Sequence, residues 1–101
     1  MKKILFLLIF ALSAEVLSNP VNTTAAVPYN LRVFDTNGNT YVNLVSHGCS
    51  AGGYILGPNH MKYDTIVSIL LAAQLSKNDV QIRYNGCNGN DQGIIVGVYI
   101  K

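Results

Sequence analysis

The pattern with the most specific chemistry lies in residues 48–52, whose sequence GCSAG matches the G-x-S-x-G nucleophile elbow of serine hydrolases. That elbow needs an entering strand, a leaving helix and triad partners in the order serine, acid, histidine. Here a short apolar segment and a Gly57-Pro58 break follow the motif, and His60 precedes Asp64. The chain is also too short for the doubly wound sheet of those enzymes. We therefore interpret the motif as a glycine-rich loop without a catalytic residue.

The remaining ionisable residues give no other catalytic or metal site. His47 and His60 are the only histidines, and no carboxylates accompany them with the spacing of metal ligands. The aspartates are isolated, so no pair is available for general acid–base chemistry. We predict a protein that is not an enzyme and that holds neither a metal ion nor a cofactor.

The chain contains two cysteines, Cys49 and Cys87. In an exported protein an even count favours a disulfide over a free thiol, and neither cysteine has the C-x-x-C partner that zinc sites usually need. We predict a Cys49–Cys87 disulfide, which would stabilise the fold by roughly 3 to 4 kcal/mol through the loop that it closes.

That disulfide would join two loops rich in hydroxyl, amide and carboxylate groups. Such groups form hydrogen bonds to the hydroxyls of sugars. The simpler explanation, that the loops are polar because water surrounds them, stays open for each residue. The candidate ligand-binding residues are Ser46, His47, Ser50, Asn85, Asn88, Asn90 and Asp91.

The first half of the chain predicts a lead-in followed by three strands. Residues 19–28 contain two prolines and no periodic pattern, which predicts a flexible lead-in. Branched and aromatic residues in 29–33 and 41–45 predict two strands, and the Asn37-Gly38 step between them favours the positive φ of a hairpin turn. Residues 54–56 predict a short third strand.

A single helix is predicted over 60–76, with Asn59 as its N-cap and Asn78 in the left-handed closing position. Its central residues are nearly all apolar, whereas a surface helix keeps one polar face. Either a small sheet curls around the helix and buries most of it, or a second apolar face packs against neighbouring subunits. The residues predicted to face an oligomer are Ile66, Ile69, Leu70 and Ala73.

Two further strands complete the predicted fold. Val80, Ile82 and Tyr84 alternate with polar residues, which is the period of a half-buried strand, and residues 94–100 are apolar at nearly every position. We predict one mainly β, α+β domain over 29–101 with the element order β-β-β-α-β-β. A small five-stranded barrel of the oligonucleotide/oligosaccharide-binding (OB) type fits that order.

The first residues predict export. Lys2 and Lys3 precede an apolar segment over 4–12 and then small residues, as in a secretory signal peptide. The segment is shorter than the roughly 20 apolar residues that span a bilayer. We predict a signal peptide in 1–18, cleaved after Ser18 or after Ala14, and a secreted or periplasmic product without membrane insertion. The mature net charge is then close to zero, which disfavours nucleic acid as a partner.

Residues 41–100 resemble the B subunits of the subtilase cytotoxin, typhoid toxin and pertussis-like group. The likeness lies in the order of a Cys49-Ser50 loop, a helix carrying Ala72-Ala73, a V-x-I-x-Y strand over 80–84 and a Val96-Gly97-Val98 strand. The resemblance implies an OB-fold barrel in a homopentameric ring with the helices at its centre, which binds sialylated glycans and carries a toxic A subunit. This chain is shorter than those subunits and has fewer cysteines. None of their sugar-contacting residues can be matched to it.

Two functions follow as hypotheses. The first is an exported, non-enzymatic, glycan-binding module that forms a homo-oligomer. The alternative is a monomeric secreted or periplasmic module that binds a protein, such as an enzyme inhibitor. A second apolar helix face without a partner would favour the first, and a single exposed polar loop that inserts into a cleft would favour the second.

Overall fold

The computed structural model describes residues 20–45 and 48–101. The predicted signal peptide in 1–18 lies outside the described residues, and so do Ser46 and His47. The described part of the chain is mainly β with one helix, α1 (Tyr63–Ser76), which confirms the predicted α+β class. Its strands are β1 (Val21–Asn22), β2 (Tyr29–Arg32), β3 (Thr40–Asn43), β4 (Gly53–Leu56), β5 (Val80–Cys87) and β6 (Gly93–Ile100).

The strands form one mixed sheet in the order β1-β5-β6-β4-β3-β2. Strands β4 and β6 are parallel, and the other neighbouring pairs are antiparallel. The sheet is open. Strand β1 lies against β5, at the edge that β2 would have to reach to close the predicted five-stranded barrel.

The predicted flexible lead-in, 19–28, contains β1 and is anchored by Thr23. This threonine is buried, its N–H donates to the Ile82 carbonyl over 2.9 Å, and its Oγ1 accepts from the Ile82 N–H over 3.0 Å. Ala26 and Val80 then exchange both backbone hydrogen bonds, at 3.0 and 2.8 Å. The prediction missed this strand because a threonine hydroxyl, rather than an alternating apolar pattern, attaches the segment to the sheet.

Strands β2 and β3 form the hairpin that the Asn37-Gly38 step predicts, and Gly38 has a φ of +80°. Asp35 closes the turn. Its carboxylate accepts hydrogen bonds from the Asn39 N–H over 3.0 Å, the Asn39 side-chain amide over 2.9 Å and the Tyr41 hydroxyl over 2.7 Å. These contacts fix the ring of Tyr41 on the hairpin.

The hydrogen bonds to Asp35 make the turn sensitive to acid. They hold the pKa of Asp35 below its usual value, and the Asn39 amide is the largest cause. A carboxylate with a lowered folded-state pKa adds stability above its unfolded pKa of about 3.9, and this stability is lost as the pH falls through the folded-state value.

Asp35→Asn is therefore expected to lower the thermal unfolding midpoint at about pH 7, and this loss is expected to shrink at about pH 2, because the wild-type carboxyl also loses its charge as the pH falls through its folded-state pKa. Circular dichroism melts at the two pH values measure the difference. An equal loss at both would contradict a role for the charge.

The core lies between α1 and one face of the sheet. Ile66, Leu70 and Ala73 form one stripe of α1 and are at most 4% exposed. The edge strand β2 is also attached to the helix, because the Leu31 N–H donates to Gln74 Oε1 over 3.0 Å. The sheet contributes Val42, Leu44, Tyr54, Leu56, Val80, Ile82 and Ile95 to this core.

The apolar residues of α1 lie on two faces of the helix, one in the core and one on the surface. Leu71 and Leu75 are 44% and 73% exposed, so the helix keeps an apolar surface outside the core. A contact between copies would use that surface. Of the four residues predicted to face an oligomer, Ile66, Leu70 and Ala73 instead lie in the chain's own core. The fourth, Ile69, is half-buried.

The start of α1 differs from the prediction. The helix begins at Tyr63, and Asn59 does not cap it; Lys62 occupies the N-cap position without a side-chain hydrogen bond. His60 holds the entry instead. Its Nδ1 accepts from the Lys62 N–H over 2.9 Å, so its Nε2 carries the proton and donates to the Val96 carbonyl over 3.0 Å. At the other end Lys77, not Asn78, takes the left-handed position, with a φ of +61°.

Candidate functional site: two loops joined by the disulfide

The predicted Cys49–Cys87 disulfide is present, with the Cα atoms 6.0 Å apart. It joins the 48–52 loop before β4 to the last residue of β5, directly before the 88–92 loop between β5 and β6, so it brings together two loops that lie far apart in sequence. Cys49 is buried and Cys87 is exposed. The disulfide therefore fixes both loops side by side at one end of the sheet.

Ser50 and Asp91, one from each loop, form an exposed pair. Ser50 Oγ donates to Asp91 Oδ2 over 2.6 Å, and the Ala51 N–H donates to the Asp91 backbone carbonyl over 3.2 Å. Asp91 adopts a left-handed backbone conformation with a φ of +63°. These described hydrogen bonds use Oδ2 of the carboxylate and leave Oδ1 able to accept from a ligand.

Asn88 shapes its own loop. Its Oδ1 accepts from the N–H groups of Asn90 and Gln92, both over 2.9 Å, and its Nδ2 donates to Gln92 Oε1 over 2.9 Å. With the side chain bonded in this way, Asn88 positions the loop rather than a ligand. Asn90, at the exposed tip, keeps its side-chain amide on the surface.

Asn85 lies near the end of β5, two residues before Cys87. Two residues of β5, Asn85 and Gly86, oppose one residue of β6 in a β-bulge, and Gly86 has a φ of +78°. Asn85 Oδ1 is buried and accepts no hydrogen bond within the described part of the chain. Asn85 is thus half-buried, whereas Ser50 and Asp91 are exposed. Of the predicted ligand-binding residues, it brings Ser50, Asn90 and Asp91 to one exposed end.

Two tyrosines that the sequence analysis assigned only to strands support the loops from the core side. The rings of Tyr54 and Tyr84 pack edge to face with centroids 5.6 Å apart, and the Tyr54 hydroxyl accepts from the Gly48 N–H over 3.1 Å. Burial raises the pKa of Tyr54. A Cβ at Gly93 would lie 2.7 Å from the Tyr54 ring, so a glycine is needed where this ring crosses β6.

A second candidate surface lies on the sheet face opposite the core. Its members are direct partners across four neighbouring strands, and we call them the outer row: Arg32 (β2), Tyr41 (β3), Ile55 (β4) and Ile94 (β6). Direct partners share one face of a sheet, and the next residues along β3, β4 and β6 point into the core.

Phe34 extends the outer row at its hairpin end. Its side chain is 69% exposed, and its ring centroid lies 4.9 Å from that of Tyr41. The Arg32 guanidinium lies 5.6 Å from the centre of the same ring, within the range of a cation–π contact. Strands β4 and β6 are apolar at nearly every position, so the sequence does not show which of their residues face outward, and only the register aligns the four residues.

Comparisons with known proteins gave no match. No protein-family model matches the chain, and no curated protein and no solved structure matches it. The relation to toxin B subunits therefore stays a prediction, and function has to be argued from the residues themselves.

The serine motif does not form a nucleophile elbow. Strand β4 follows it at Gly53, where the elbow requires a helix. Within 20–45 and 48–101, no group of three or more His, Cys, Asp or Glu residues is placed to hold a metal ion. In the same residues, no helix has both the length and the apolar character needed to cross a bilayer.

Proposed function

We propose that the chain is an exported, non-enzymatic module that binds glycans through the exposed Ser50–Asp91 pair. The observation that carries the proposal is the hydrogen bond between these two side chains, which holds a hydroxyl and a carboxylate together on the surface. Sugar hydroxyls both donate and accept hydrogen bonds. Because Ser50 donates its one hydroxyl proton to Asp91, the pair offers acceptors, Asp91 Oδ1 and the Ser50 oxygen, to the donating hydroxyls of a sugar. The Asn90 amide adds donors and an acceptor at the tip of the same loop.

Rigidity of the two loops supports this proposal. The disulfide, the Asn88 hydrogen bonds and the Tyr54 hydroxyl hold the loops before any ligand arrives. A ligand then does not have to order them, and less of its interaction energy is lost on binding. Preorganised polar groups of this kind give orientation and specificity in ligand sites.

The proposal includes an OB-type fold. Counted from β2, the five longer strands lie in the order 1-2-3-5-4, the third and fifth are parallel, and the helix follows the third. This connectivity supports an OB-type sheet whose closing edge is covered by β1. A sialylated ligand, a homopentameric ring and an A subunit rest on the toxin resemblance alone.

The proposal predicts binding on a glycan array that carries sialylated and neutral oligosaccharides. We expect Asp91→Asn to weaken binding at least about tenfold, because a hydrogen bond to a charged group contributes roughly 1.5 to 3 kcal/mol. Ser50→Ala should weaken it as well.

Asp79→Asn is the matched control, because Asp79 is an exposed aspartate before β5, at the opposite end of that strand from the loops. This variant should bind as the wild type does. A folded wild-type protein that binds no glycan would refute the proposed function, and binding that Asp91→Asn leaves unchanged would refute the proposed site.

A further inference from the structure

We propose that the exposed face of α1 in one copy of the chain docks on the outer row of the sheet in a second copy. This inference deepens the oligomeric part of the proposed function and does not depend on which ligand the loops bind. It rests on two surfaces that the described residues 20–45 and 48–101 leave accessible and that match in apolar character, length and charge.

The first surface is the stripe of α1 that faces away from the core, which we call the helix stripe. Asp64, Ser68, Leu71 and Leu75 follow one another at intervals of four, three and four residues, so they lie on one side of the helix, and all are exposed. Its second half is apolar, although solvent-facing helix positions are normally polar. A partner that removes Leu71 and Leu75 from water would gain the free energy of burying apolar surface.

The second surface is the outer row together with Phe34. Its centre, Tyr41 and Ile55, is apolar, and Ile94 and Phe34 are 40% and 69% exposed at its ends. Aromatic residues and arginine are enriched in protein–protein interfaces. Tyr41 is already held by Asp35, Phe34 and Arg32, so binding would cost little side-chain entropy at this position.

The two surfaces agree in length. From Arg32 to Ile94 the outer row crosses three gaps between strands, or about 14 Å at roughly 4.8 Å each. From Asp64 to Leu75 the helix stripe is about 16 Å long at 1.5 Å per residue. A helix laid across the strands can therefore contact the whole row.

Charge sets the direction of the helix on the row. Described hydrogen bonds of the Arg32 guanidinium use only Nη1, which donates to the Asn30 carbonyl over 2.7 Å and to Asn43 Oδ1 over 2.8 Å. Its Nε and Nη2 donors remain for a carboxylate. An Asp64–Arg32 contact at one end places Leu71 and Leu75 over Ile55 and Ile94.

The contact has to be between copies. α1 packs on the core face of the sheet and the outer row lies on the opposite face, so one chain cannot bring its own two surfaces together. A contact between two different surfaces is heterologous. It generates a ring if the rotation between copies closes and a filament if it does not.

A charge exchange tests this interface. Sedimentation velocity over a range of concentrations is compared for the wild type, Arg32→Asp, Asp64→Arg and the double variant that carries both changes. Each single variant places like charges in contact and is expected to raise the dissociation constant of assembly at least about fivefold. The double variant restores an opposite pair and should return to within about twofold of the wild type.

Arg83→Asp and Asp79→Arg make the same charge changes outside the two surfaces and should assemble as the wild type does. Thermal melts of every variant confirm that the monomer is folded. A wild type that remains monomeric at all concentrations overturns the proposal, and so does a double variant that is no better than the singles. Assembly that Leu75→Asp abolishes but Arg32→Asp leaves unchanged would indicate helix-on-helix packing and would also overturn it. None of these variants touches Ser50 or Asp91, so the assembly result is independent of the glycan array.

Discussion

Replacing both Cys49 and Cys87 with alanine is expected to lower the free energy of unfolding by about 4 kcal/mol. The disulfide closes a loop between residues separated by 38 positions, and it removes much of the conformational freedom of the unfolded chain. In a domain of about 70 to 80 residues or fewer, the hydrophobic core rarely contributes more than roughly 3 to 5 kcal/mol of net stability. The double variant should therefore be largely unfolded at about 37 °C.

Urea denaturation of the exported protein, followed by circular dichroism, measures this loss. The reduced wild type is the matched control, because it has lost the bond but keeps both side chains, and it should unfold at nearly the same urea concentration as the double alanine variant. If the oxidised wild type unfolds together with them, the disulfide does not stabilise the fold. At low temperature a fraction of the double alanine variant remains folded. In that fraction the two loops are no longer joined, so Ser50 and Asp91 should move apart and glycan binding should weaken.

Much of the fold could be predicted because its signals are local. The Asn37-Gly38 turn, the disulfide between the only two cysteines and the long apolar helix each depend on a short segment or on a residue count. The two loops were also found from their composition. The sequence could not show that Asn88 uses its side chain within its own loop, because its bonding depends on the exact path of four residues.

The parts that escaped prediction depend on contacts between distant segments. Strand β1 is attached through the Thr23 hydroxyl, and the parallel pairing of β4 with β6 has no local signature. The pairing of β5 with β6 shifts register between Arg83 and Tyr84. As a result Ile95 and Val98 both face the core, although residues three apart in a regular strand face opposite sides. The outer row depends on the pairing registers of β2 with β3, β3 with β4 and β4 with β6, so its residues could not be grouped from the sequence.

Two neighbouring leucines test whether α1 has one structural face and one assembly face. Leu70 is fully buried and Leu71 is 44% exposed. Leu70→Ala removes core volume and is expected to cost about 2 to 5 kcal/mol of stability, whereas Leu71→Ala should stay within about 0.5 kcal/mol of the wild type. Urea denaturation at a concentration at which the wild type is monomeric compares the two.

Assembly should respond in the opposite order. Leu71→Ala removes apolar surface from the helix stripe and is expected to raise the dissociation constant of assembly about tenfold, while the folded fraction of Leu70→Ala keeps every residue of that stripe. Because the two substitutions are chemically identical and adjacent, any difference between them comes from the side of the helix on which each lies. If Leu71→Ala assembles as the wild type does, the helix stripe takes no part in assembly, and α1 contributes only to the core.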